Sequence, residues 1–187
     1  VILTTAGLVW KLSDQLAPVL CVLFLAVSSA LIGFLDDYEK LTKKRNLGLT
    51  VIQKLVLQVA TTVIFLILLE VLGISSYEIR VPFFGTSFHL PRILYYIAAT
   101  LVIMGTVNAA NLTDGIDGLA TGVTIPIASF FTAAGILAGS MGISILSAAF
   151  VGGLLGFLIY NYNPAKVFMG DTGSLFIGGM VSGLAFV

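Results

Sequence analysis

The side chains of this chain that could do chemistry fall in three short stretches. They are Asp36-Asp37 with Lys40, the run from Asn108 through Asn111, Asp114, Gly115, Ile116 and Asp117, and Phe168-Met-Gly-Asp171-Thr-Gly-Ser174. Carboxylates brought together repel unless cations neutralise them, and Mg²⁺ suits a site of oxygen ligands completed by water and substrate phosphates. Lysines beside such a site stabilise charge that develops on a phosphoryl group. Metal-assisted phosphoryl transfer is therefore the chemistry these residue types match best. Each stretch also has a plainer reading. Asp36-Asp37, placed at a helix C-terminus where the macrodipole already disfavours anions, could be interfacial ion pairs with Lys40 and Lys44. Asp117, and Asp171 or Thr172, could be helix N-caps. Asn161 and Asn163 could end a helix, and Phe168 could be a core or interfacial aromatic.

The elements that must position these residues are membrane spans. The chain has 187 residues, 58% hydrophobic and only 10% charged, with mean hydropathy +1.10. That is too apolar for an ordinary soluble domain, and a net charge of zero leaves no basic face for nucleic acid. Spans are predicted at Leu16–Leu35, Val51–Leu72, Ile93–Val107, Leu119–Ala138, Ile143–Tyr160 and Leu175–Val187, with Val1–Val9 as the tail of an earlier one. The fold expected is an all-α polytopic bundle of six to seven spans in a single transmembrane domain over residues 1–187. Asp36, Asp37, Asp114, Asp117 and Asp171 fall at the ends of these segments. A buried Asp costs about 2.5 to 3.5 kcal/mol at a bilayer centre, so all five are expected at one wet boundary.

Basic residues set the orientation. Lys40, Lys43, Lys44, Arg45, Lys54 and Lys166 fall on one face and Lys11, Arg80 and Arg92 on the other. The first face, which carries all the acidic clusters, is expected to be cytoplasmic. On the other side, residues 78–91 alternate and turn at Gly85-Thr86, predicting a small external hairpin that holds the sole histidine, His89. Gly152 with Gly156 and Gly179 with Gly183 have the spacing of close helix packing, and Pro126 should kink its helix. Cys21 is expected to face lipid or pack in the core.

Three ordered motifs resemble the polyprenyl-phosphate N-acetylhexosamine-1-phosphate transferases. They are D-D-x-x-K at 36–40, N-x-x-N-x-x-D-G-x-D-G-L at 108–119 and F-M-G-D-x-G-S at 168–174. Gly33 through Tyr38, Lys43-Lys44-Arg45-Asn46 and Gly48-Leu49 are most similar to the branch of that family whose donor carries a muramoyl pentapeptide. The resemblance implies a ten-helix protein of the bacterial inner membrane with a cytoplasmic cleft. There it would move phospho-MurNAc-pentapeptide from UDP-MurNAc-pentapeptide to undecaprenyl phosphate, releasing UMP and requiring Mg²⁺. It implies Asp171 as the Mg²⁺ ligand, Asp36 and Asp37 at the lipid phosphate with one as its base, and Lys40 and Lys54 on phosphates. Asn108, Asn111, Asp114, Gly115, Ile116, Asp117 and Asn161 would shape the nucleotide-sugar site, with Phe168 stacked on uracil. A homodimer is compatible with it.

The family also has an upstream Pro/Gly-containing motif and a downstream histidine-rich loop that this chain lacks, so it is expected to be an interior, inactive fragment. His89, on the opposite face, is expected to be buried or held within its hairpin. The alternatives are a transferase of phospho-N-acetylglucosamine and, from another class, a cation transporter, which would carry its carboxylates near mid-span at broken helices.

Overall fold

In the computed structural model, residues 15–43, 48–75, 77–81 and 86–187 are described. The elements run α1 (Leu16–Lys43), α2 (Val51–Val71), β1 (Glu78–Val81), β2 (Thr86–His89), α3 (Arg92–Thr113), α4 (Leu119–Leu137), α5 (Met141–Asn161) and α6 (Gly170–Phe186). Helices α1 to α5 are each long and apolar enough to cross a membrane. Helix α6, at 17 residues, is somewhat shorter. An all-α polytopic bundle with one small hairpin is thus what forms. The tail at 1–9, Lys11, and Lys44 through Asn46 lie outside the described residues.

Local signals start and stop these helices. Thr50 caps α2 with a complete capping box to Gln53, satisfying two backbone N–H groups that the helix cannot. Pro91 immediately precedes α3, and Gly118 at φ 73° separates α3 from α4 with a backbone that a β-carbon would strain. Hydropathy alone placed two ends too early. Helix α1 continues two turns past Leu35 and α3 continues past Val107 to Thr113. Asp36, Asp37 and Lys40 therefore lie within a helix rather than at its C-terminus, and Asn108 and Asn111 within α3 rather than in a loop after it. Polar residues propagate a helix as long as its backbone bonds continue, so an apolar run marks the lipid-compatible part and not the whole element.

Helices α1 and α6 form the centre. One buried cluster joins them to α4 and α5 through Val22, Ala26, Ala128, Leu146, Phe150 and Met180. The other joins them to α2 and α3 through Leu25, Phe65, Leu69, Ile103 and Leu175. Cys21 is buried in the second, so it is a core residue. Lipid supplies no hydrophobic drive between helices, which leaves dispersion at close range as the adhesive. Gly179 and Gly183 serve this: a β-carbon on Gly179 would sit 2.8 Å from Ala26 Cα, and one on Gly183 3.0 Å from Val22 Cγ1. Gly152 and Gly156 do not, because a β-carbon on either meets nothing within 4 Å among the described residues.

Contacts define two ends of the bundle. At one, Arg92 pairs with Glu70 at 2.7 Å, and the Tyr96 hydroxyl donates to the same carboxylate. There Gln15 also binds the backbone of Gly139 and Gly142, between α4 and α5. The hairpin stands at this end. Its register pairs Val81 with Thr86 and Glu78 with His89, so Thr86 belongs to a strand and the connection lies in residues 82–85, which are outside those described. His89 is exposed on β2 rather than buried. The expected turn at Gly85-Thr86 is corrected by that register, since a cross-strand pair cannot also be the corner.

Gly179→Val should force α1 and α6 apart and cost about 1–3 kcal/mol, as overpacking does, read as a lowered Tm in detergent.

Candidate active site

At the other end, α1, α2, α3 and α6 converge on Asp171. Its Oδ2 receives Lys40 Nζ and Lys54 Nζ, both at 3.1 Å, and its Oδ1 receives Asn111 Nδ2 at 2.9 Å. Lys40 also reaches Asp36 at 2.6 Å and Asp37 at 3.6 Å, so one ammonium bridges three carboxylates. It can do so because Asp36, Asp37 and Lys40 stand within one turn of α1, at i, i+1 and i+4.

The two adjacent aspartates differ in environment. Asp36 is 4% exposed, and its Oδ1 accepts the Leu49 N–H at 2.9 Å, fastening the chain that enters α2. Gly48 permits this, since a β-carbon there would lie 2.7 Å from the Asp36 carboxyl carbon. Asp37 turns to α6, where its Oδ2 accepts the Thr172 N–H at 3.0 Å and the Thr172 hydroxyl at 2.8 Å. Its Oδ1 accepts the Asp171 N–H at 3.4 Å. Helix α6 is thus capped by a carboxylate from α1. Neither Asp171 nor Thr172 is its own N-cap, because the helix begins at Gly170 and Met169 occupies the cap without a side-chain bond. Close approach depends on Gly33 of α1, where a β-carbon would collide with the backbone of Asp171.

Ligand atoms of Asp36, Asp37 and Asp171 all lie within 4.8 Å of one another. The donors are all oxygens, which fits a hard cation such as Mg²⁺, and the site sits beside lysines that could meet phosphate. The five acidic residues do not share one environment, however. Asp114, at the C-cap of α3, has its carboxyl pushed above the usual range, by burial first and by the nearby Asp171 charge second. Asp117 does not cap α4. Its Oδ2 accepts the Ala165 N–H at 2.9 Å and Asn163 Nδ2 at 3.3 Å, tying down the loop between α5 and α6.

Asn161 belongs with Asp117. It is buried, accepting from the Gly118 N–H at 3.1 Å and the Thr121 hydroxyl at 3.3 Å, and donating to the Val167 carbonyl at 3.0 Å. Phe168, 73% exposed, and Ile116, 67% exposed, project from the two loops so joined, with Gly115 exposed beside Ile116. Asn108 points elsewhere, to Gln58 of α2. The structure therefore brings together Asp36, Asp37, Lys40, Lys54, Asn111 and Asp171, with Asp114 close by. It places Asp117 and Asn161 in a loop-bracing cluster and leaves Phe168, Gly115 and Ile116 free at the surface. Sequence inspection missed Gln58 altogether, although an amide one turn beyond Lys54, among apolar residues and away from the helix cap, was the available signal. It also missed the reach of Asp37 to Thr172, which no local pattern encodes.

These features define a polytopic helical membrane protein whose carboxylate cluster is paired with lysines. The chain belongs to glycosyl transferase family 4, whose family model matches residues 19–187. It is 44% identical over 172 residues to a phospho-N-acetylmuramoyl-pentapeptide-transferase of Staphylococcus carnosus, covering 91% of this chain and 53% of that one. With the protein of the same name from Desulforamulus reducens it is 46% identical over 170 residues, covering 90% and 51%. With that from Bacillus subtilis it is 43% identical over 190 residues, covering 100% and 57%. The chain thus spans about half the length of the curated relatives it matches. The resemblance carried by the three motifs is borne out, and neither the acetylglucosamine transferase nor the cation transporter is favoured. The relatives and the five spanning helices place the chain among bacterial membrane proteins. Nothing in the comparisons supports a homodimer.

Asp37→Ala should remove the cap of α6 and cost about 1–2 kcal/mol. Asp37→Asn, which keeps one acceptor oxygen, should cost less in the same thermal unfolding series.

Proposed function

We propose that the protein transfers phospho-MurNAc-pentapeptide from UDP-MurNAc-pentapeptide to undecaprenyl phosphate, releasing UMP and forming the first lipid intermediate of peptidoglycan synthesis. The observation that carries this is the convergence of three carboxylates and two lysines on one point at one end of a membrane bundle. The names of the relatives supply the transferred group, and the resemblance carried by the three motifs supplies the UDP carrier and the lipid acceptor. The basic residues at the same end, Lys40, Lys43, Lys54 and Lys166, support a cytoplasmic orientation.

In this reaction an oxygen of the lipid phosphate attacks the β-phosphorus of the donor. A new P–O bond forms, the bond from that phosphorus to the bridging oxygen breaks, and the pair leaves with UMP. Asp171, with Asp36 and Asp37 in reach, would hold Mg²⁺, which when bound polarises the diphosphate and offsets its charge. Lys40 and Lys54 sit where their ammonium groups can pass from carboxylate to phosphate and stabilise the spread of charge in the transition state. Asp37 is the more accessible of the adjacent pair, with its side chain 29% exposed against 6% for Asp36, and is the better placed to meet the lipid phosphate and take its proton.

Asn111 orients Asp171, and Asp114 lies beside it to face the donor. Asp117 and Asn161 act by bracing the loops that present Gly115, Ile116 and Phe168, and the exposed Phe168 ring is free to stack on a base.

Full-length protein should release UMP from UDP-MurNAc-pentapeptide only when undecaprenyl phosphate and Mg²⁺ are both present, and should lose turnover in chelator. UDP-GlcNAc is the control donor, and preferential use of it would sink the substrate assignment. A stoichiometric burst of UMP without the lipid acceptor would replace direct displacement by a covalent aspartyl intermediate.

Asp171→Asn keeps the bulk of the side chain but removes the charge that both lysines share. It should reduce turnover by at least about 10³-fold, and retained activity would remove Asp171 from the centre.

A further inference from the structure

We infer that Gln58 and Asn108 form a positioning clamp that sets the attitude of the Asp171 carboxylate, an inference that rests on the transferase reading of this site. Gln58 Nε2 donates to Asn108 Oδ1 at 3.3 Å, and Asn108 Nδ2 donates back to Gln58 Oε1 at 2.9 Å. Asn108 Nδ2 also donates to the Met104 carbonyl at 2.8 Å, so both of its amide hydrogens are committed. Gln58 is 3% exposed, too enclosed to meet substrate itself. Neither side chain reaches a carboxylate through any of these bonds.

What the pair does follows from its place on the helices. Lys54 precedes Gln58 by four residues on α2, and Asn111 follows Asn108 by three on α3, so each amide shares a face with a direct partner of Asp171. Lys54 holds Oδ2 and Asn111 holds Oδ1. The contacts close a ring from Asp171 to Lys54, along α2 to Gln58, across to Asn108, and along α3 to Asn111 and back. Nearer the hairpin end, α2 and α3 meet through Phe65, Leu66, Leu69, Ala99 and Ile103. Apolar packing of that kind is weakly directional, whereas a reciprocal amide pair has a fixed length and orientation. A slip of α2 along α3 would move Lys54 relative to Asn111 and so pull on the carboxylate, whose Oδ1 is held from α3 and whose Oδ2 is held from α2 together with Lys40 of α1. Gln58 and Asn108 are thus positioning residues, and Asn108 acts through Gln58 rather than by touching the nucleotide sugar.

The test uses the full-length protein and UMP release from UDP-MurNAc-pentapeptide, with Tm measured on the same samples. Gln58→Leu and Asn108→Leu should each lower kcat by about 10- to 100-fold, the range for residues that orient a reacting group, and leave KM for the donor within about twofold. The exchanged pair, Gln58→Asn with Asn108→Gln, should recover most of the loss. Leu69→Ala, a cavity variant nearer the hairpin end of α2, should lower Tm and leave kcat unchanged. Should Gln58→Leu not fold, Gln58→Met gives the same comparison with a side chain of similar length. An unchanged kcat in the Gln58 variant, a KM increase confined to Asn108→Leu, or an equal kcat loss in Leu69→Ala would overturn the clamp. A wild-type protein without turnover would remove the transferase reading and the clamp with it, whereas an active wild type with an indifferent Gln58 variant removes the clamp alone.

Discussion

The Asp171 carboxylate and its three polar partners are the constraint around which the rest is arranged. A carboxylate at the start of a short helix, next to two more from a neighbouring helix, is tolerable only with cations among them. Lys40 and Lys54 supply that charge from α1 and α2, while Asn111 adds a neutral donor from α3. Four helices are thereby held at one end by polar contacts, and along their length by close packing of small residues between α1 and α6 and by larger apolar side chains of α2 and α3.

The same contacts explain why the ends of the bundle differ in chemistry. Glu70, Arg92 and Tyr96 pin the hairpin end with an arrangement whose charges satisfy one another. At the Asp171 end three carboxylates share two lysines among the described residues, so these groups together keep a negative charge. Stability and reactivity are not separable here. Asp37 caps α6 while standing in the carboxylate cluster, and Asp36 anchors the approach to α2 while facing Lys40. Loss of either carboxylate would therefore disturb packing as well as chemistry.

Much of the site was visible as residue types. Asp36-Asp37 with Lys40, the Asn111–Asp114 stretch and Asp171 were separable from their apolar surroundings because polar groups in such helices are costly and so carry information. The division of labour within these stretches was not visible. Asp117 and Asn161 look like site residues by type, yet their oxygens and amide are spent on the loops between α3 and α4 and between α5 and α6. Helix ends were misjudged at Asp36 and Asn108 for a related reason, since hydropathy reports where lipid is tolerated and not where backbone hydrogen bonds stop.

By itself the sequence determined the class of fold, the family and the catalogue of polar groups, because long apolar runs and three ordered motifs are local properties of the chain. Only the tertiary structure decided that Asp37 caps α6, that Lys54 meets Asp171 across 117 positions of sequence, and that Asn108 is taken by Gln58. Those pairings depend on how α1, α2, α3 and α6 lie against one another. The α1–α6 part of that arrangement is set by packing at Gly33, Gly179 and Gly183, where the absence of a side chain matters and periodicity has nothing to report.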